Sequence, residues 1–280
     1  MRSVGIVTDT SSDLSPILID QWSMATAPIY FRMGAEERSM TTTVDRAEFF
    51  SHLQRQPLSG TAAVNPHDWL HAYEALAPDC AELVALTLSQ NLSSTYQSAK
   101  IAQSLWTLRR VHCVDSGTVF AGLALLALGA AQKAVADQPL PEVLSWIEEA
   151  KTETATLMIS PSLAMMVRIG RIPVLKADEQ APAYALLEVR AGVFEVIGTA
   201  QSFTEACDHL LDHVIRQYPR LRPERGVIDH GQAPMLARNL AFRVRDRWPQ
   251  CSITQIDDGP MTAVVADGAG GVAFAIGPMP

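Results

Sequence analysis

Three short stretches of the 280-residue chain put hydroxyls and backbone N–H groups where a ligand could use them. The first, Thr8-Asp9-Thr10-Ser11-Ser12-Asp13, follows the β-branched run Val4–Thr8 and leads into a helical pattern. The second, Ser59-Gly60-Thr61-Ala62-Ala63, precedes an Asn65-Pro66 helix start, and the third is Ser89-Gln90-Asn91-Leu92-Ser93-Ser94-Thr95. As loops at strand ends of one sheet they would converge on one edge, where open α/β sheets bind ligands. Neutral hydroxyls and helix N-terminal N–H groups can hold a carboxylate or a phosphate by hydrogen bonds. They offer no base to activate a nucleophile, and neither a phosphate-loop lysine nor a G-x-S-x-G elbow accompanies them. The same Asp and Ser residues are equally suited to capping helices and closing turns.

Histidine suggests a different chemistry. His67 and His71 are four apart, as are His209 and His213, so each pair shares a helix face and could supply two metal ligands. The first pair reads H-D-x-x-H, with Asp68 where a metalloprotease needs Glu, and no further ligand is identifiable. Solvated histidines are the simpler reading, and no metal site and no cofactor are expected. Cys80, Cys113, Cys207 and Cys251 lie far apart and make neither a zinc knuckle nor a C-x-x-C pair; free thiols are expected.

These residues need elements to position them. The first half alternates strands (Val4–Thr8, Thr26–Phe31, Glu82–Leu88, Val111–Val114) with helices (Pro16–Trp22, Asp45–Gln54, Pro66–Leu76, Ser94–Leu105, Val119–Ala136). That alternation predicts a parallel sheet covered on both faces. After an acidic helix at Pro141–Lys151 the pattern changes to a hairpin, Ala185–Val189 and Val193–Thr199 around Arg190-Ala191-Gly192. A helix at Thr204–Gln217, a strand at Val227–Asp229, a helix at Pro234–Trp248 and strands at Ser252–Ile256, Thr262–Val265 and Gly271–Ile276 follow. The prediction is α/β in two domains: residues 1–151 around a parallel sheet flanked by helices, and 152–280 around a mixed, partly antiparallel sheet.

Composition narrows the class of partner. The chain is 48% hydrophobic and 19% charged, with a formal charge of −8, which argues against affinity built on phosphate neutralisation in nucleic acid. The longest apolar run, Val119–Ala131, holds 13 residues, against about 18 for a membrane span, and predicts a helix buried on all sides. Asp9 arrives before any apolar signal region develops, so a cytoplasmic protein without stable membrane insertion is expected, and the sequon Asn91-Leu92-Ser93 carries little weight.

T-D-T-S-S-D at Thr8–Asp13, L-S-S-T-Y-Q-S-A at Leu92–Ala99 and V-D-S-G-T-V-x-x-G-L at Val114–Leu123 together resemble the DegV family of fatty-acid-binding proteins. Gly170-Arg171-Ile172 and the Gly-rich Ala266–Gly271 stretch after Gly259-Pro260 extend the resemblance over nearly the whole chain. The resemblance implies a non-enzymatic carrier that encloses one long-chain fatty acid between two domains. Bacterial proteins of this kind present the carboxylate to a separate fatty acid kinase. By position, Thr61 and Ser93 are the implied carboxylate ligands, with Ala62 and Ser94 beside them and Asp9 and Ser11 in support.

The chain also departs from the family pattern. Thr61-Ala62-Ala63-Val64 stands for T-S-Q-P, Ile169 for the first glycine of G-G-R-I, and Pro173–Pro182 for an apolar helix. A family arginine falls near Gln201 and a family histidine on Val264 or Val265, so fewer cationic donors face the head group. The alternatives to a lipid carrier are an interaction module without ligand and a metal-dependent hydrolase built on His67 and His71.

Overall fold

The computed structural model describes residues 1–33, 36–40, 60–161, 166–167, 170, 172, 183–258 and 270–280. The helix expected at Asp45–Gln54, the strand at Thr262–Val265 and the Pro173–Pro182 segment lie outside the described residues.

In the first half, β1 (Arg2–Asp9) is the hub, because its residues from Val4 onward are buried on both faces. Such double burial suits a continuous apolar strand in a parallel sheet. It pairs in parallel with β2 (Ala25–Ala27) on one side and β6 (Cys80–Thr87) on the other; β7 (Arg110–Asp115) extends the sheet in the order β2-β1-β6-β7. A second, three-stranded antiparallel sheet is made by β3 (Ile29–Met33), β4 (Glu36–Met40) and β5 (Gly60–Ala62). The short helix α1 (Pro16–Gln21) starts on a Ser15 cap. Helix α2 (Pro66–Leu76) starts as predicted, with Pro66 at its first position and Asn65 Oδ1 accepting from Asp68 N at 3.0 Å. Helices α2 and α3 (Thr95–Leu105) cover one face of the parallel sheet.

The other face is covered by α4 (Ala121–Val135), in which 12 of 15 residues are buried. A surface helix would bury one stripe; α4 buries its whole circumference because α5 (Leu140–Thr152) and a second sheet close around it. That sheet has six strands in the order β10-β9-β8-β13-β11-β12. They are β8 (Ala155–Ser160), β9 (Tyr184–Arg190), β10 (Val193–Ala200), β11 (Arg225–His230), β12 (Ser252–Asp258) and β13 (Val272–Gly277). Only β11 and β12 run parallel, so the sheet is mixed. Helices α6 (Phe203–Gln217) and α7 (Pro234–Arg247) cover its far face. One apolar cluster runs from Val4, Ile6 and Leu86 through α4 to Met158, Leu187, Val227 and Ala275, joining both sheets into a single core.

Several expectations change. The strand Thr26–Phe31 is two strands in different sheets: Pro28, which has no N–H to donate, separates β2 from β3. Thr61 and Ala62 lie in β5 and not in a strand-end turn of the parallel sheet, because Gly60–Ala62 pairs with Arg32–Tyr30 of β3. Strand β8 was not expected between the acidic helix and the hairpin, yet all six of its residues are buried at the centre of the second sheet.

Candidate functional site

The first and third hydroxyl stretches follow β1 and β6, which are neighbours, so both loops open at the same edge of the parallel sheet. After β1 the chain makes a single 3-10 turn, Thr10–Ser12, with Asp13 in the left-handed region at φ 51°. Asp9 has no exposed surface. Its carboxylate accepts from Ser11 N at 3.0 Å, from Ser11 Oγ, and from Leu88 N at 2.8 Å, which ties the end of β1 to the end of β6. Burial pushes the Asp9 pKa up to about 6, against the lowering effect of these hydrogen bonds.

The same turn reaches outward in three directions. Thr10 Oγ1 accepts from Ile29 N at 3.0 Å, fixing β3; Ser11 O accepts from Phe120 N at 3.0 Å, fixing the start of α4. Gln255 Nε2 on β12 donates to Asp13 O and to Asp229 Oδ1, each at 2.9 Å, so the second half is fastened here too. Asp9 and Ser11 are therefore buried braces at this edge, with their side-chain oxygens bonded to one another and to the N–H of Leu88.

Ser93 is half-buried and Thr61 exposed. What brings their segments together is Thr95, fully buried at the first position of α3, which closes the third hydroxyl stretch but is not among the implied ligands. Its hydroxyl lies 2.9 Å from Ser93 Oγ and accepts from Val64 N at 3.4 Å, so one oxygen spans the loop after β5 and the loop after β6. Ser93 Oγ in turn accepts from Thr95 N at 3.3 Å. Ser94 occupies the N-cap position of α3 with no side-chain cap bond and is exposed, and Ala62 is half-buried. The signal for Thr95 was present in the sequence: a hydroxyl at the first turn of a helix, two residues after another hydroxyl. Beneath this rim, Leu92 is buried in the cluster shared by both sheets, and Val64 in the core under α2. Chemically this is a hydroxyl pair at the N-terminus of an eleven-residue helix, an arrangement suited to hydrogen-bonding an anionic oxygen.

The DegV family model, described as "Uncharacterised protein, DegV family", matches residues 3–278. The chain belongs to the DegV family. A DegV domain-containing protein of Deinococcus radiodurans is 26% identical over 286 residues, covering all of this chain and 98% of the relative. Among solved structures, a fatty-acid-binding DegV family protein from Thermus thermophilus superposes with a TM-score of 0.86 at 20% identity, over the whole of both chains. The Streptococcus pneumoniae Fatty Acid Kinase (Fak) B3 protein loaded with linoleic acid gives 0.83 at 16% identity, covering 98% of this chain and 99% of that one. At these identities the likeness establishes the DegV fold.

Within that fold, the histidine pairs are occupied locally. The rings of His67 and His71 pack edge to face at 4.3 Å, and His71 Nδ1 lies 3.2 Å from Glu74. His213 Nε2 is 2.9 Å from the fully buried Glu188, which also accepts from Tyr218 and Arg190. Among the described residues no group of three or more His, Cys, Asp or Glu could hold a metal ion. Gln201, near which the expected family arginine falls, is exposed, with its N–H donated to Glu205 at 2.9 Å. Arg171, Val264 and Val265 lie outside the described residues. No helix among the described residues is long and apolar enough to cross a membrane.

Proposed function

We propose that this DegV protein is a cytoplasmic, non-enzymatic carrier of one long-chain fatty acid, held between domains formed by residues 1–151 and 152–280. The observation that carries this reading is the junction at Thr95, which gathers the Thr61 and Ser93 segments at the rim of an apolar core common to both sheets. Ser93 and Thr61 hydrogen-bond the acyl carboxylate, assisted by the N-terminal N–H groups of α3. Ala62 and Ser94 flank the head group, and Asp9 and Ser11 hold the supporting turn. The acyl tail supplies most of the affinity: at about 0.8 kcal/mol per buried methylene, a sixteen-carbon chain gains on the order of 10 kcal/mol before ordering costs.

Family membership and the lipid-bound neighbours support the same reading. A carrier of this kind presents its carboxylate to a separate kinase, which performs the phosphoryl transfer. Denaturing extraction of the purified protein followed by mass spectrometry tests the proposal. A stoichiometric fatty acid is expected; absence of any acyl ligand, together with no uptake of added palmitate or oleate, would overturn it.

A further inference from the structure

The turn between β9 and β10 extends from the second sheet onto the loop that carries Ser93. Ala191 and Gly192 at its tip both have positive φ, 48° and 78°, the signature of the tight two-residue hairpin whose twist matches its strands. Their carbonyls face the first half. Ser89 Oγ donates to Gly192 O at 2.9 Å, and Asn91 Nδ2 donates to Ala191 O at 3.0 Å. A side chain at Gly192 would run into Ser89 Oγ, so the two segments are fitted to each other without space to spare.

The loop under that grip is itself closed on Ser89. Ser89 O accepts from Leu92 N at 3.0 Å and from Ser93 N at 3.2 Å, and Ser89 Oγ accepts from Asn91 N at 3.1 Å. The backbone N–H of Ser93 is therefore fixed by Ser89, a residue the hairpin holds, while its hydroxyl is fixed from the other side by Thr95. Two residues beyond the turn, the Phe194 ring lies 6.1 Å from the ring of Phe120, whose N–H is bound to Ser11 O. The hairpin thus touches the Ser89–Ser93 loop directly and reaches the Thr10–Ser12 turn through Phe120.

We infer that the β9–β10 turn is the positioning element of the head-group site and that Asn91 is a positioning residue: by fastening the Ser89–Ser93 loop to the second domain, it sets Ser93 Oγ for the carboxylate of an acyl ligand. The inference rests on the carrier reading and names the device that aligns its head-group site. Asn91 is exposed, so removing its side chain breaks one interdomain hydrogen bond without opening a cavity. Such a bond corresponds to roughly three- to ten-fold in an equilibrium constant.

The test measures binding of palmitate and of uncharged hexadecan-1-ol, both supplied from cyclodextrin, to wild type, Asn91→Ala, Ser93→Ala and the double variant. Asn91→Ala should weaken palmitate binding three- to ten-fold, leave hexadecan-1-ol binding unchanged and lower the ligand-free melting temperature by no more than about three degrees. The double variant should bind palmitate no more weakly than Ser93→Ala alone, since both act on one contact. Equal losses for the two ligands, no loss for palmitate, or additive losses in the double variant would overturn the positioning role while leaving the carrier intact. A wild type that binds neither ligand would overturn both readings.

Discussion

Asp9 combines complete burial with three accepted hydrogen bonds, and the balance decides how the protein responds to pH. Its pKa is raised from 3.8 to about 6, burial outweighing the hydrogen bonds. A raised folded-state pKa means that the folded protein holds the proton more firmly than the unfolded chain. The stabilisation is complete below pH 3.8 and is lost as pH rises through 6, in total about 3 kcal/mol. Asp9→Asn carries no titrating group, so between pH 4 and 7 its stability relative to wild type should improve by up to about 3 kcal/mol. Urea unfolding across that range measures it, and parallel curves for the two proteins would contradict the assignment. Ser93 presents the opposite case, a half-buried hydroxyl at the rim whose proposed role lies in binding. Ser93→Ala should weaken palmitate binding by one to two orders of magnitude, as loss of one hydrogen bond to a charged group implies, with the ligand-free melting temperature nearly unchanged. Exposed Thr61 should show a smaller loss as Thr61→Val. Unaltered affinity in both variants, measured by displacement of a fluorescent fatty acid, would move the head group elsewhere.

At the scale of elements, α4 shows how two glycines allow close packing. Gly122 leaves room for the Thr118–Thr156 hydroxyl bond of 2.9 Å that joins the two halves, and Gly129, seven residues on, receives the Trp146 ring of α5. An alanine at 129 would gain about 1 kcal/mol of helix propensity, but its Cβ would overlap Trp146, and overpacking of that kind costs about 1–3 kcal/mol. Gly129→Ala should therefore lower stability by up to about 2 kcal/mol in denaturant titration; a more stable variant would show that α5 moves aside without strain. The elements themselves were legible where a pattern is strong over many residues. The unbroken apolar run of α4, the Asn65-Pro66 start of α2 and the alternation of strands and helices in the first half all have local causes. Legibility failed where pairing with distant chain decides: Gly60–Ala62 is a strand because β3 lies beside it, and Ala155–Ser160 because β9 and β13 enclose it. The site divides in the same way. Ser93 and Thr61 could be singled out as hydroxyls in polar loops, whereas the contact made by Thr95 joins residues 31 apart and exists only once the sheets are in place.

For the whole molecule the decisive feature is that α4 belongs to two cores. It packs on β1 and β6 of the first sheet and on β8, β11 and β13 of the second, and one apolar cluster passes through it. The 48% hydrophobic content is in this respect the composition of a layered core, with a buried helix between two sheets. Removing the second half would expose the face of α4 that now packs on β8, β11 and β13. Several side chains the size of leucine, at about 1.5–3 kcal/mol each, would return to water, a loss comparable to the whole net stability of a typical domain. The proposed domains at 1–151 and 152–280 should accordingly differ in sequence and sheet but not in folding. The full chain should unfold in one thermal transition, and palmitate at a hundred times its dissociation constant should add about 2.7 kcal/mol to that single transition and raise its midpoint by several degrees. A fragment of residues 1–151 should instead lack a cooperative melt and bind a hydrophobic dye, keeping secondary structure without fixed packing. Calorimetry of the full chain and of the fragment checks both, and a sharp independent transition in the fragment would show that α4 completes its core within the first half alone.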